Sequence, residues 1–222
     1  MRSSVSRKIW TALTGLFLCF FLVVHLLGNL ALLLPAEEAR RIYNAYAAFL
    51  VGNPLVKLIS YGLYTSFVAH ILLSARHMLA NRRARTHAYA FTRANATSRW
   101  HSRHMGLLGA VLLVFLLIHM KTFWYTYHWG AIGHDVDGNR DLYEVVTVAF
   151  SRGWYVALYA ASMLALGLHL RQGLYSASQT LGLCHRRYAA LIQRIGGATA
   201  IGLALIFAAM PIWLYATTGG AP

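Results

Sequence analysis

Four histidines stand in stretches of the sequence with almost no other polar residue: His25, His70, His119 and His169. Their neighbours are apolar, as in Val23-Val24-His25-Leu26 and Leu117-Ile118-His119-Met120. Imidazole is the commonest metal ligand and also titrates near neutral pH. An ionisable group in so apolar a setting is costly, which makes these positions the first candidates for a functional site. The other seven histidines fall in polar segments, where solvation accounts for them: His77, His87, His101, His104, His128, His134 and His185.

The composition is that of a membrane protein. Of 222 residues, 58% are hydrophobic and 12% are charged, whereas soluble proteins carry about 25% charged residues. The formal net charge of +14 would suit nucleic-acid binding, but a mean hydropathy of +0.51 argues against it. Cys19 and Cys184 are too few for a four-cysteine zinc site or an iron–sulfur cluster. Any redox centre must therefore use histidine.

Five apolar runs reach the roughly 20 residues that a helix needs to cross the hydrocarbon core. We predict one all-α membrane domain over residues 1–222, with spans at about 9–34, 55–75, 105–127, 154–178 and 195–216. Pro54 suits a helix start because its missing N–H would be unpaired there. The first run exceeds the apolar core of a signal peptide, about 7–15 residues, so we expect it to be retained.

The cations are distributed unevenly between the two sides of this topology. The N-terminal side has fourteen Lys and Arg residues and no acid, while the other side has six cations and all six acids. The positive-inside rule then places the N-terminus in the cytoplasm. The basic segment 76–103, about 28 residues, is long for a connection. Its positive charge either sets the topology and contacts anionic lipids, or forms a docking surface for a soluble partner.

The depths of the four apolar histidines alternate. Each lies in the C-terminal half of its span, and successive spans run in opposite directions. His25 and His119 are therefore expected toward the outer face, and His70 and His169 toward the cytoplasm. At about 1.5 Å rise per residue, the two levels are roughly 10 Å apart. The pattern predicts two bis-imidazole sites stacked across the membrane.

Two imidazoles from facing helices suit the axial positions of a haem iron. Zinc would need three or four protein ligands, and no acid lies within a span; spacing alone leaves copper open. A haem with both axial positions filled by protein has no open site for oxygen, which favours electron transfer. We therefore predict that the first four spans form a bundle around two stacked haems b.

A membrane quinone is the natural lipid-soluble partner for such a centre. Polar side chains at the cytoplasmic edge could bind its headgroup or the haem propionates: Ser4, Lys8, Trp10, Arg171, Tyr175 and Gln179. Snorkelling arginines and interfacial aromatics produce the same pattern. On the other side, residues 135–141 resemble a calcium loop but lack its later acidic ligand, so we expect a solvated loop.

Several motifs point to one family. The most specific is His169-Leu170-Arg171-Gln172-Gly173-Leu174-Tyr175-Ser176-Ala177-Ser178-Gln179-Thr180-Leu181-Gly182-Leu183. The others are Ser3-Ser4-Val5 with Lys8 and Thr14-Gly15, His25-Leu26-Leu27-Gly28-Asn29-Leu30, Tyr43-Asn44-Ala45-Tyr46 with Phe49-Leu50, and His70. On these motifs the chain resembles, almost end to end, the succinate dehydrogenase cytochrome b558 family. Its members are five-helix dihaem membrane anchors of succinate:quinone oxidoreductase and quinol:fumarate reductase.

The resemblance implies a distal haem b on His25 and His119 and a proximal one on His70 and His169, in agreement with the depth argument. It also implies the bacterial inner membrane, menaquinone, and two partners on the cytoplasmic face, a flavoprotein and an iron–sulfur protein. The chain has no Gly-x-Gly-x-x-Gly and no cysteine cluster, so FAD, clusters and dicarboxylate chemistry would belong to those partners. The dihaem fumarate reductases of the family bear a glutamate two residues before the fourth haem ligand, where it serves as a proton path. Gly167 stands at that position in this chain, which favours a succinate dehydrogenase that reduces quinone.

Three other functions fit parts of the pattern. One is the cytochrome b subunit of another quinol-linked enzyme, such as a hydrogenase or formate dehydrogenase; the run from His169 to Leu183 counts against it. A second is a haem-free membrane tether. A third is a transporter, although helices broken near the midplane would be expected there and only Pro211 lies inside a span.

Overall fold

The computed structural model describes residues 4–83, 100–185 and 187–219. Within these ranges the chain is helical, and one isolated β-bridge joins His134 to Arg140. Residues 84–99, which form much of the basic segment predicted to dock a partner, lie outside the described residues.

Long helices dominate the architecture. The α-helices are α1 (Ser4–Asn29), α2 (Ala36–Gly52), α3 (Pro54–Arg83), α4 (Trp100–Arg103), α5 (Met105–His119), α6 (Thr126–Trp129), α7 (Leu142–Phe150), α8 (Gly153–Thr180) and α9 (Ala189–Thr218). A 3₁₀ turn, Leu30–Leu33, extends α1, and a π-helical turn, Met120–Tyr125, joins α5 to α6. Five helical segments are long and apolar enough to cross a membrane: Val5–Leu33, Pro54–Asn81, Met105–Trp129, Gly153–Thr180 and Ala189–Thr218. The predicted number of spans is confirmed.

One predicted helix boundary coincides with a capping signal, whereas two other helix ends lie beyond the predicted apolar spans. Pro54 begins α3 as predicted, and the Asn53 Oδ1 accepts hydrogen bonds from the backbone N–H groups of Leu55 and Val56. In contrast, α3 continues to Arg83, and α9 begins at Ala189, so that Arg194 lies inside the helix rather than before it. Hydropathy reports the thickness of the hydrocarbon core, whereas a helix continues beyond it into the polar headgroup region.

Four spans form the bundle that holds the histidines. Helix α1 packs against α3 and α8, and α5 packs against α8. Helix α9 lies along α8, and the two approach closely at Gly167, where an added Cβ would lie 3.0 Å from the Ala204 Cβ. A larger side chain at Gly167 would therefore push α9 away from α8. In this description the inner end of the bundle is the one at which α1 begins, and the outer end is the opposite one.

Two short helices, α2 and α7, cover the outer end. Their apolar faces contribute Tyr43, Val146 and Phe150 to a core with Tyr155 and Tyr159 of α8. The sequence analysis did not predict either helix. Each is too short or too polar for a span, and a half-buried amphipathic helix gives only a weak hydropathy signal.

A buried acid fixes the outer loop to α2, which corrects the expectation of a uniformly solvated loop. Asp141 is 1% exposed and Asn44 is fully buried. The Asp141 carboxylate accepts hydrogen bonds from the Asn44 amide, from the Arg40 guanidinium and from the Glu144 backbone N–H, the last of which caps α7. Burial opposes ionisation of Asp141, but these hydrogen bonds outweigh it and hold the pKa of the carboxyl below its ordinary value.

Candidate functional site

The structure brings the rings of His25 and His119, here called the outer pair, together between α1 and α5. Their ring centroids are 5.8 Å apart and the ring planes are nearly perpendicular, at 80°. Two imidazoles on opposite sides of one metal ion, each with a metal–nitrogen distance of about 2 Å, place their centroids about 6 Å apart. The outer pair therefore has the spacing that axial ligation requires.

Aromatic rings surround the outer pair. Phe21 stacks on His25 with centroids 5.3 Å apart, and Phe207 of α9 approaches the same ring at 5.9 Å. Phe115 and Phe123 lie 5.7 and 5.3 Å from His119. Such a shell keeps water out and suits the apolar faces of a macrocycle.

A chain of hydroxyl groups runs from His119 toward the outer end. The His119 Nδ1 lies 3.0 Å from the Tyr159 hydroxyl, which lies 3.3 Å from that of Tyr155. Tyr155 donates in turn to the Thr122 Oγ1 at 2.9 Å. Thr122 belongs to the π-helical turn, a distortion often found at functional sites. If Nδ1 carries the proton and donates it to Tyr159, Nε2 is left as the metal-binding nitrogen.

His70 and His169, here called the inner pair, project from α3 and α8. The His70 Nδ1 lies 3.2 Å from the Thr14 Oγ1 on α1. Because the Thr14 hydroxyl donates to the backbone carbonyls of Trp10 and Thr11, it is placed to accept a hydrogen bond from the His70 Nδ1–H. This arrangement again leaves Nε2 free, so both pairs contain a histidine oriented by a hydroxyl group.

Small residues and an unpaired nitrogen mark the inner pair as a place for a ligand. The Nδ1 of His169 is buried and has no hydrogen-bond partner among the described residues. Buried polar atoms without partners are rare unless an absent group completes their surroundings. Glycines flank both rings: an added Cβ at Gly15 would lie 3.1 Å from the His70 Cε1, and one at Gly109 would lie 3.7 Å from the His169 Cε1.

The two pairs lie at different levels of the bundle. On α1, Thr14 marks the inner level and His25 the outer; these residues are eleven positions apart, or about 16 Å of helix. On α8, Tyr159 marks the outer level and His169 is ten residues further, or about 15 Å. The separation exceeds the roughly 10 Å expected from the sequence, because the middle of an apolar window is a poor marker of the middle of a helix.

The six candidates for quinone or propionate binding do not form one site. Lys8 and Trp10 are exposed on α1, and the side chain of Ser4 lies outside the described residues. Arg171 and Tyr175 line a cavity of about 460 Å³ between α8 and α9, together with Arg194. Gln179 donates a hydrogen bond to the Tyr175 hydroxyl. Arg171 follows His169 by two residues, or about 200° around the helix, so this cavity lies on the face of α8 away from the inner pair.

Two further residues toward the inner end carry buried nitrogens without a partner among the described residues. His77 was assigned to a solvated segment, but it lies within α3, and its Nε2 is buried without a hydrogen-bond partner among the described residues. The Nε of Arg7 on α1 has the same environment. A signal was present in the sequence, because His77 follows His70 by seven residues, which places both on one helix face.

No model of a known protein family, no curated protein and no solved structure matches the chain. Within the described ranges, no group of three or more His, Cys, Asp or Glu side chains converges on one point. Function therefore has to be inferred from the geometry of the four histidines and from the sequence motifs.

Proposed function

We propose that this chain is a membrane cytochrome that binds two haems b, one between His25 and His119 and the other between His70 and His169. The observation that carries the proposal is the pair of histidines whose ring centroids lie 5.8 Å apart inside an aromatic shell. His70 and His169 form a second pair about 15 Å away along the helices. Two ligands at each level match the two axial positions of a haem iron.

The residues of both sites fit this cofactor. A haem iron held by two imidazoles changes between ferric and ferrous states and so carries one electron. Tyr159 and Thr14 hold one histidine of each pair in the tautomer that leaves Nε2 for the metal. Gly15 and Gly109 let the backbones of α1 and α5 approach the inner rings closely, and the phenylalanines exclude water from the outer ones.

We propose further that the chain is the membrane anchor of a succinate dehydrogenase, and that it passes electrons from an iron–sulfur subunit to a membrane quinone, menaquinone in this family. The run from His169 to Leu183 supports this assignment, since it matches the stretch after the fourth haem ligand in the cytochrome b558 family. The chain carries no flavin or cluster motif, so its own contribution would be anchoring, haem ligation and quinone reduction.

The charge distribution supports docking of the two soluble subunits at the inner end. All six acids of the chain lie at positions 37–38 and 135–144, and the Arg40–Asp141 and Arg40–Glu144 ion pairs join these two segments at the outer end. The inner end therefore presents cations without intramolecular carboxylates. Such a surface suits both the bacterial cytoplasmic face and acidic partner surfaces.

The close contact of α8 and α9 supports quinone reduction as the direction of electron flow. In the fumarate reductases of the family, a glutamate two residues before the fourth ligand serves as a proton path. Its match here, Gly167, faces Ala204 so closely that an added Cβ would lie 3.0 Å from the Ala204 Cβ. The position leaves no room for a glutamate unless α9 moves.

The test is a haem assay of the purified membrane complex, followed by reduction with succinate. We expect two haems b per copy of this chain, both reduced when succinate is added. A colourless complex would identify a haem-free tether. Haems that a quinol reduces but succinate does not would assign the chain to a different quinol-linked oxidoreductase.

A further inference from the structure

Two polar nitrogens at the inner end of the bundle are buried without a partner among the described residues: the Nε of Arg7 and the Nε2 of His77. Both side chains are partly buried, on α1 and α3 respectively. Each nitrogen can donate an N–H, and leaving a buried donor unpaired costs about 1–3 kcal/mol. An acceptor is therefore expected beside each of them.

The register of α1 and α3 places these two donors near the inner pair. The two helices run antiparallel and touch where Thr14 meets His70. Arg7 precedes Thr14 by seven residues and His77 follows His70 by seven, so each lies about two turns, or about 10 Å, further toward the inner end. Seven residues return to the same helix face. Both donors thus continue the faces that carry the Thr14–His70 contact.

This chain cannot supply an anion to these donors. Its acids are Glu37, Glu38, Asp135, Asp137, Asp141 and Glu144. They lie in segments held together at the outer end of the bundle, as the ion pairs of Arg40 show. A carboxylate acceptor at the inner end therefore has to come from a bound group, and a guanidinium with a second N–H donor is suited to one.

We propose that Arg7 and His77 bind the propionate carboxylates of the inner haem. The inference rests on the proposed function and names the residues that orient the cofactor. The propionates are the charged edge of an otherwise apolar macrocycle, and a carboxylate buried without donors would be costly. Arg7 and His77 direct that edge toward the inner end, so that the remainder of the ring lies between His70 and His169.

An ion pair between Arg7 and a propionate should also change the reduction potential of the inner haem in a definite direction. A propionate left without its cation places an uncompensated negative charge beside the iron, which stabilises the ferric form. Arg7 removes part of that stabilisation, so its loss lowers the potential of the inner haem. The outer haem, about 15 Å away along the helices, is affected much less.

The experiment measures haem content and the midpoint potential of each haem in the complete complex. The variants are Arg7→Gln, His77→Gln and the charge-conserving Arg7→Lys, and the control is Arg76→Gln, an exposed neighbour of His77. For Arg7→Gln we expect about a tenfold shift of the inner-haem equilibrium toward the ferric form, or about 59 mV for one electron. His77→Gln should lower retention of the inner haem, and Arg7→Lys should restore most of the potential.

The outer haem reports folding in the same molecule, because a misfolded bundle would lose both haems. Two haems in the wild type, with the inner potential and occupancy unchanged in Arg7→Gln and His77→Gln, would overturn the inference and leave the proposed function intact. Loss of the soluble subunits with an unchanged inner haem would instead assign both residues to partner docking and would also overturn it. A wild-type complex without haem would overturn the proposed function itself.

Discussion

The outer and inner histidine pairs are chemically alike but differ in their surroundings. Phenylalanines enclose the outer pair, and a chain of tyrosines and a threonine orients His119. The inner pair is flanked by Gly15 and Gly109, with Thr14 against His70. Two buried cationic or donor groups, Arg7 and His77, lie further toward the inner end. One pair is thus enclosed by aromatic rings, and the other lies among small and polar residues.

The difference shows how one fold can give two identical histidine pairs different surroundings. Groups outside the first shell orient the ligands and tune the metal. At the outer pair, the rings and hydroxyls belong to the packed core that α2 and α7 complete. At the inner pair, the Nδ1 of His169 has no partner among the described residues, which leaves a hydrogen bond for a bound group to complete. We expect the inner site to depend more on its cofactor for order, and the outer site to be more nearly preformed.

The largest effect should come from removing the ligands. His25→Ala and His119→Ala should each eliminate the outer haem, and His70→Ala and His169→Ala the inner one, because a single remaining imidazole leaves one axial position empty. The measurement is the number of haems b per chain with the two potentials, and the control is the exposed His128→Ala. If His25→Ala and His119→Ala removed different haems, the pairing would be wrong.

Enlarging Gly15, which lies against the inner pair, should have the next largest effect. Gly15→Leu would place side-chain atoms where even a Cβ lies 3.1 Å from the His70 ring. We expect the inner-haem occupancy to fall below about half that of the wild type, while the outer haem remains, since overpacking costs about 1–3 kcal/mol. Gly62→Leu on α3 is the matched control, because an added Cβ there meets no atom within 4 Å. Equal loss of both haems in Gly15→Leu would contradict a local role.

Removing the Asp141 carboxylate, which joins the outer loop to α2, should weaken haem binding at the outer pair selectively. Asp141→Ala removes the acceptor of Arg40 and Asn44, and we expect it to lower the free energy of unfolding by about 2 kcal/mol. Thermal unfolding followed by haem absorbance should then lose the outer haem before the inner one. Asp137→Ala in the same loop, where the side chain is exposed, should change neither transition.

The same acid predicts a pH dependence with a definite sign. The pKa of Asp141 is lower in the folded protein than its ordinary value of about 4. Its stabilising contribution is therefore complete above about pH 4 and is lost as the pH falls through the lower folded-state value. Thermal unfolding between pH 7 and pH 3 should show this loss in the wild type and not in Asp141→Asn. An identical acid profile in the variant would exclude Asp141 as the group that titrates.

The smallest effects should come from the hydroxyl groups that orient the histidines. Tyr159→Phe removes the acceptor of the His119 Nδ1–H and makes the imidazole a weaker donor to iron, so the outer potential should rise. A hydrogen bond is worth about 1 kcal/mol, which corresponds to about 40 mV for one electron. Thr14→Val should raise the inner potential in the same way. Redox titration of both variants checks this, and a shift of the wrong haem in either would refute the assignment of partners.

Much of the fold followed from the sequence because the bilayer imposes simple constraints. Each span must be apolar over about 20 residues and must satisfy its own backbone, so hydropathy reveals it. Asn53-Pro54 marked the beginning of α3 by local capping chemistry. The short helices α2 and α7 escaped detection, because their burial depends on contact with the outer end of the bundle rather than on their own composition.

The candidate histidines could be identified in advance for the same reason, since polar residues within apolar spans are conspicuous. Alternating helix direction was sufficient to group His25 with His119 and His70 with His169 by depth. The sequence could not identify Tyr159, Thr14 or Gly15 as neighbours of these rings. Those contacts join residues 40 or more positions apart, and only the packing of the helices brings them together.

By itself, then, the sequence determined the five spans, the four apolar histidines and the concentration of acids on one side. These are properties of local composition and of helix periodicity. Only the tertiary structure decided that a nitrogen of His77 is buried, that Arg171 shares a cavity between α8 and α9 with Arg194, and that Asp141 is buried against α2. Each of these depends on how one helix is rotated and packed against another, and side-chain packing fixes that rotation only when the whole bundle is assembled.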